Sequence, residues 1–285
     1  MIYAQVVVDG LIVGLVFALV AMGLSLIYGV MNIVNFAHGE FMMLAMYLCY
    51  FLWAGFGFDP LVSAPVAAAA MFALGVLIYR LVARHLLEAS MIAQMFATFG
   101  MLVFFQALVN FFWKADARTI PDNWSTGHFS VGGLFFNGPE LVAALGALAT
   151  AAALFWFINR TETGLALQAA AEDPQVARLL GVNTDRMYAL AWGLSAATVG
   201  VAGALLATYL AIYPLVGANW ALPAFVAVAI GGFGSITGAF WGGIVIGLVQ
   251  TVGGFLTSPS YKLLFVYALY LLIVLVRPHG MLGKR

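Results

Sequence analysis

The chain has 285 residues, of which 65% are hydrophobic and 8% charged, against about 45–50% and 25% in an average soluble domain. A charged shell around an apolar interior cannot be built from that composition, so lipid must be the solvent for most of the surface. Eleven basic and eleven acidic side chains balance, and no basic run interleaved with aromatics is present, which excludes a nucleic-acid-binding protein.

No Lys or Arg precedes Arg80, and the first apolar run is longer than a signal-peptide core, so the first helix is expected to stay in the mature protein. A bilayer core of about 30 Å needs about 20 apolar residues per helix. Uncharged runs of that kind predict spans over Gly10 to Met31, Phe41 to Phe58, Leu61 to Tyr79, Met91 to Trp113, Leu141 to Ile158, Tyr188 to Tyr213, Ala239 to Leu256 and Leu263 to Val276. The stretch from Trp220 to Phe233 is short for a span and reads either as a re-entrant helix or as a tilted crossing packed in protein. The fold expected is therefore an all-α polytopic bundle of eight or nine transmembrane helices, in one membrane domain covering the whole chain. Cys49 lies inside an apolar run, has no metal-ligand spacing to other Cys or His, and reads as a small packed hydrophobe.

Positive residues in short loops are retained on the cytoplasmic side. Arg80, Arg84, Arg160, Arg178, Arg186, Arg277, Lys284 and Arg285 fall on one side of the predicted topology, and Lys114, Arg118 and Lys262 on the other. That bias puts the carboxyl terminus inside and, through nine crossings, the amino terminus outside. The polar segment from Lys114 to Pro139 is then an external loop.

Between Arg160 and Met187 the chain gathers charge and helix-capping residues without crossing. Thr163 can cap a helix through Gln168 and Ala171. Asp173 is a good N-cap, Pro174 suits the first helical position, and Gly181 suits the position past the end, so a short helix is predicted from Pro174 to Leu180. Glu172 and Asp173 at its start and Arg178 near its end agree with the helix dipole. Asn183 or Thr184 can cap the next span. Val176, Leu179 and Leu180 form an apolar ridge that suits either a partner's groove or the lipid headgroup region.

In lipid, close backbone approach over small residues does much of the helix packing. Gly234, Gly238 and Gly242 share one predicted helical face, Gly243 and Gly247 a neighbouring one, and Gly193, Ala197, Gly200 and Ala204 repeat the spacing elsewhere. Contacts within the chain are the plain reading, and a sliding or subunit interface the alternative. Asn32, Asn35, His38 and Glu40 form the densest polar cluster between apolar spans. The first reading is a capped turn near the cytoplasmic face, with Asn35 capping, Gly39 turning and Glu40 favouring the next helix start. A deeper turn would instead line a translocation path, in the manner of broken transporter helices. Gln94, Gln106, Asn110 and Gln250 are scattered singly and suit interhelical hydrogen bonds.

Four motifs carry a family resemblance. The runs Gly23-Leu-Ser-Leu-Ile-Tyr-Gly-Val30 and Asn35-Phe-Ala-His-Gly-Glu-Phe41 resemble the amino-terminal part of the LivH-type permeases of branched-chain amino acid ABC importers. Ala169-Ala-Ala-Glu-Asp-Pro174 with Ala177-Arg178 and Gly181-Val-Asn183 is similar to that family's cytoplasmic loop. Gly231-Gly-Phe-Gly-Ser-Ile-Thr-Gly238 and Val276-Arg-Pro-His-Gly-Met281 are similar to its carboxyl-terminal signatures. The resemblance implies a multi-pass subunit of a bacterial inner (cytoplasmic) membrane, paired with a second, related permease, two cytoplasmic ATPases and an extracytoplasmic solute-binding protein. It further implies that the loop carrying Glu172, Asp173, Pro174, Arg178 and Gly181 is the coupling helix docked on an ATPase.

No G-x-x-x-x-G-K-[ST] phosphate loop is present, and Gly283-Lys284 lacks both context and hydroxyl residue, so ATP and magnesium belong to partner subunits and this chain needs no cofactor. The cargo implied is a branched-chain or related amino acid, with urea or a short amide as the alternative. An intramembrane enzyme lacks its motifs, since there is no H-E-x-x-H and Ser195 lies outside a G-x-S-x-G frame. An ion-coupled carrier would not need the capped loop at Asp173 to Gly181.

Overall fold

In the computed structural model, which describes residues 1–277, 280 and 281, the uncharged runs are helices. They are α1 (Ile2–Met31), α2 (His38–Phe56), α3 (Pro60–Ile78), a π turn (Tyr79–Ala83) leading into α4 (Arg84–Leu86), and α5 (Met91–Trp113). A connection with strands β1 (His128–Val131) and β2 (Leu134–Asn137) precedes α6 (Gly138–Arg160). Then follow α7 (Glu162–Glu172), α8 (Pro174–Leu179), α9 (Thr184–Leu206), α10 (Val216–Gly231), α11 (Ile236–Leu256) and α12 (Lys262–Val276). Eight of the helical segments, counting Pro60–Leu86 and Pro259–Val276 as one each, are long and apolar enough to cross a membrane, and Val216–Gly231 is shorter. The chain is a multi-pass helical membrane bundle.

Capping explains several boundaries. Asp59, ahead of Pro60, accepts the Leu61 amide at 2.8 Å, Ser90 accepts that of Ala93, and Ser235 that of Gly238, so polar side chains satisfy helix-start donors that the sequence leaves open. The span predicted over Tyr188 to Tyr213 ends at Leu206. The Asn123 amide donates to the Thr208 carbonyl at 2.9 Å and Arg118 pairs with Ile212 through both backbone bonds, so tertiary contacts pull the chain out of the helix where its composition shows no break. The 114–137 connection is the loop predicted, but it contains an antiparallel hairpin that leaves the helical class unchanged. Its signal was Gly132-Gly133, both at positive φ (60° and 81°), the backbone a two-residue hairpin turn requires.

α1 and α9 lie in the middle, and α12 is peripheral. α1 runs antiparallel to α11, with Gly10 against Leu248, Gly14 against Ile244 and Ala18 against Gly243. A Cβ on Gly247 would strike the Cα and N of Gly14, so the two backbones touch. Gly238 and Gly242, on another face of α11, meet Gly231 and Ala227 of α10. Gly234 is not on that helical face, contrary to the spacing: it sits at φ 79° in the turn before α11 and packs on Gly29. Gly200 faces Ala67 and Ala68 of α3, and a Cβ on Gly75 of α3 would come within 2.5 Å of the Trp192 carbonyl. Without a hydrophobic drive between helices in lipid, these approaches gain dispersion contacts that no larger side chain permits.

The contacts sort the connections into two ends. Tyr3 and Phe255 (5.9 Å between rings), the hairpin, the Arg118–Ile212 bridge and Lys262 lie at one. The opposite end holds α7, α8 and the turn before α11, where the Met281 amide bonds the Ile230 carbonyl at 2.8 Å. Arg80, Arg84, Arg160, Arg178, Arg186 and Arg277 gather at this second end and Lys114, Arg118 and Lys262 at the first, as the charge bias predicts. Pro278 and His279 of the carboxyl-terminal motif, and Gly283, Lys284 and Arg285, lie outside the described residues.

Replacing Gly247 by Val forces α1 and α11 apart and should lower the stability of the purified protein by about 2 kcal/mol or more. Gly55 has open space around it, so Gly55→Ala should leave stability unchanged or raise it by about 0.5–1 kcal/mol. Thermal unfolding in detergent checks both, and equal midpoints for the two variants would refute the close-approach account.

Candidate functional site

Two features depart from plain spanning helices: a well-capped projection at one end and a break deep in the bundle. The projection begins where Thr161 Oγ1 donates to the Phe157 carbonyl at 2.7 Å and accepts the Gly164 amide at 3.0 Å. Thr161, not Thr163, is therefore the cap of α7. Gly164 has no room for a Cβ against the backbone of Phe157 and Ile158, which folds α7 back tightly under α6.

α7 ends at Glu172, and Asp173 then caps α8 through its Oδ1, accepting the Gln175 and Val176 amides at 2.9 and 3.0 Å. The helix predicted to reach Leu180 ends at Leu179. Its carboxyl end is a Schellman turn, with the Gly181 amide on the Arg178 carbonyl, the Val182 amide on the Ala177 carbonyl, and Gly181 at φ 86°. Asn183 caps α9 through the Arg186 amide. Six residues are too few to hold a helix by propagation alone, so these caps do the holding. Ala177 is buried, but Val176, Leu179 and Leu180 are 49%, 87% and 77% exposed. An apolar ridge is thus presented on a rigid support.

The second feature is the Asn32–Ala37 segment. Asn32 is exposed, adopts φ 55° and ends α1. The chain then turns back into the bundle, and His38 Nε2 meets the Val20 carbonyl at 2.9 Å, which carries the His38 ring to a level about 16 Å up α1 from Met31 at about 1.5 Å per residue. A shallow cap at the bundle end is therefore not what forms, because apolar Ile33 and Ala37 are drawn inward to full burial. Asn35 accepts the Ala37 amide at 3.1 Å, a side-chain turn two residues on, and Ala37 stands at the helix cap. Gly39 meets the Gly217 carbonyl at the start of α10, where a Cβ would come within 2.5 Å.

α10 also starts at depth. Trp220 packs on Phe17 with tilted rings whose centroids are 4.5 Å apart, level with the middle of α1, while its lead-in descends from Ile212 at the hairpin end. Val216–Gly231 is thus the inner part of a crossing whose outer end is irregular. Two interrupted helices of opposite direction meet at their amino-terminal ends.

Asn35, His38 and Glu40 are all buried at the break, and Asn32 is not among them. Gln106 of α5 donates to Glu40 Oε1 at 3.0 Å, and Ser195 Oγ of α9 lies 3.5 Å from His38 Nδ1. Asn35 Nδ2 and Glu40 Oε2 are enclosed with no hydrogen-bond partner among the described residues. Ser195 stood far from His38 in sequence, and nothing in the pattern paired them. Of the isolated polar residues, Gln106 makes an interhelical bond, and Gln94 bonds the carbonyl of Leu86 at the end of α4 as well as that of Ala89 in the turn before its own helix. Asn110 is exposed, and the Gln250 carbonyl oxygen is enclosed without a partner among the described residues.

Removing the α8 cap by Asp173→Ala should destabilise the 174–180 segment by about 1 kcal/mol and raise its amide hydrogen exchange about fivefold, with α9 unaffected. Unchanged exchange in that segment would show that the caps do not hold it.

A family model described as "Branched-chain amino acid transport system / permease component" matches residues 6–274. The high-affinity branched-chain amino acid transport system permease protein BraD of Pseudomonas aeruginosa is 33% identical over 99% of this chain and 96% of its own length. The corresponding permease protein LivH of Escherichia coli K12 is 32% identical over the same shares. A probable branched-chain amino acid transport permease protein of Methanocaldococcus jannaschii is 27% identical over 93% of this chain and 88% of its own. No solved structure matches.

Proposed function

The chain belongs to the branched-chain amino acid transport permease family and is an importer permease, and we propose that α8 is the element through which a partner ATPase drives it. The observation that carries this reading is the exposed ridge of Val176, Leu179 and Leu180 on a helix fixed at both ends by Asp173 and the Gly181 turn. A loop only filling space between spans would hide those side chains or leave the backbone loose, since exposed leucine on an ordered projection suits a groove. Glu172 and Arg178 flank the ridge with opposite charges and would fix the register of docking.

In this reading the chain is one permease domain, paired with a second permease and two ATPases that carry ATP and magnesium. A solute-binding protein meets the hairpin end, and the α7–α8 end with the carboxyl terminus is cytoplasmic in a bacterial inner membrane. The arginine-rich character of that end supports the orientation. The cargo is a branched-chain or related amino acid, as the relatives' names suggest.

The break at Asn35, His38 and Glu40 is the part of the translocation path this chain supplies. A carboxyl oxygen and an amide nitrogen enclosed without partners at mid-depth are costly, each by about 1–3 kcal/mol. Such groups persist where solvent or solute reaches them at some stage of a cycle. Asn32, at the outer edge of the turn, would mark its entrance from the α7–α8 end.

Two measurements on the complete transporter in vesicles test these assignments. Substituting Pro174→Ala and Gly181→Val together should leave membrane insertion intact but separate ATP hydrolysis from uptake, and normal uptake would count decisively against docking. In a Cys49→Ala background, Asn35→Cys should react with a small polar thiol reagent during ATP turnover and not at rest. Protection under both conditions would make the break purely structural.

A further inference from the structure

Resting on the docking of α8, a second question is how displacement of a six-residue helix reaches the break without being absorbed in the turns on either side of it. Arg178 of α8 donates from Nε to Thr184 Oγ1 at 2.7 Å, and Thr184 is the buried first residue of α9. The next residue, Asp185, accepts through Oδ1 from the Tyr79 hydroxyl at 2.8 Å and lies 3.3 Å from Arg84 Nε. Tyr79 is fully buried and opens the π turn, whereas Arg84 and Asp185 are more than half and half exposed. Residues five apart lie about 140° apart around a regular α-helix. The wider π turn brings Tyr79 and Arg84 to the same side, so the helix irregularity is what lets both converge on one carboxylate.

We infer that Arg178, Thr184, Asp185 and Tyr79 are positioning residues that strap α8 to α9 and α3, so that the three move as one body when α8 is displaced. The strap continues into contacts that cannot yield. Gly75 lies on the Trp192 backbone and Gly200 on Ala67 and Ala68, binding α3 to α9 over most of their length. α9 in turn touches the break, through Ser195 near His38 and through Gly203, where a Cβ would come within 2.5 Å of the Met42 carbonyl. Thr184 to Ser195 is about 16 Å of helix at about 1.5 Å per residue, so force at α8 meets His38 through rigid helix alone. The Arg84–Asp185 ion pair, exposed on both sides, contributes least; the two hydrogen bonds to buried partners are the strap.

The test uses the complete transporter in vesicles, with uptake and ATP hydrolysis measured together. Thr184→Val keeps the shape and removes the hydroxyl, and Tyr79→Phe removes the other donor. Each alone should lower solute taken up per ATP hydrolysed, and the pair should lower it by about fivefold or more, with the hydrolysis rate unchanged. Thr184→Ser should restore the ratio. An unchanged ratio in the pair, or a ratio equally reduced in Thr184→Ser, overturns the strap.

A Leu179→Cys variant in the Cys49→Ala background separates the two levels of the argument. If it cross-links to the ATPase while the pair retains a normal ratio, docking stands and the strap is wrong. If no cross-link forms, docking fails and the strap falls with it.

Discussion

Every peptide group inside hydrocarbon must find its hydrogen bond within the protein, and that requirement governs where this bundle is allowed to be irregular. The Asn32–Ala37 segment and the lead-in to α10 leave the helical ladder at depth. They are tolerated because α1, α9 and α10 surround them. Side chains replace part of the missing ladder: Asn35 takes the Ala37 amide and Thr98 bonds the Val34 carbonyl at 3.1 Å. A break of this kind facing lipid would cost several kcal/mol for each unsatisfied group.

Enclosing the breaks requires helices to approach more closely than ordinary side chains permit. The α1–α11, α3–α9 and α10–α11 contacts are made by Gly, Ala and backbone, which lets the inner helices shut around polar groups. The meeting of Gly39 and Gly217 is the extreme case, with two helix starts in backbone contact. Glycine there is required by the space, not by backbone conformation. Both belong to segments whose neighbours are bulky, Phe36 against Phe225 and Phe17 against Trp220, so the two glycines stand where the helix starts cross.

Away from the hydrocarbon the balance changes. The α7–α8 projection is held by capping bonds worth about 1 kcal/mol each, and the ion pair beside it, Arg84 of α4 with Asp185 of α9, is exposed. Local stability there is low compared with the packed interior, which suits an element that must accept a partner and move. The rigid interior and the modestly held projection are complementary: the one preserves a path, the other receives a load.

The sequence by itself determined the solvent, the helical class, the segments that span, the charge asymmetry of the two ends and the capped helix at Pro174. Each depends on residue type or on spacing within one segment, and hydrocarbon thickness and orphaned helix-end amides act at that range. The family motifs were legible for the same reason. Only the tertiary structure decided the depth of the Asn35 turn, the shortened crossing of α10, the early end of α9 and the pairing of His38 with Ser195 or of Asp185 with Tyr79. Those depend on contacts between segments separated by much of the chain, where burial of one element is set by the shape of another and no local period records it.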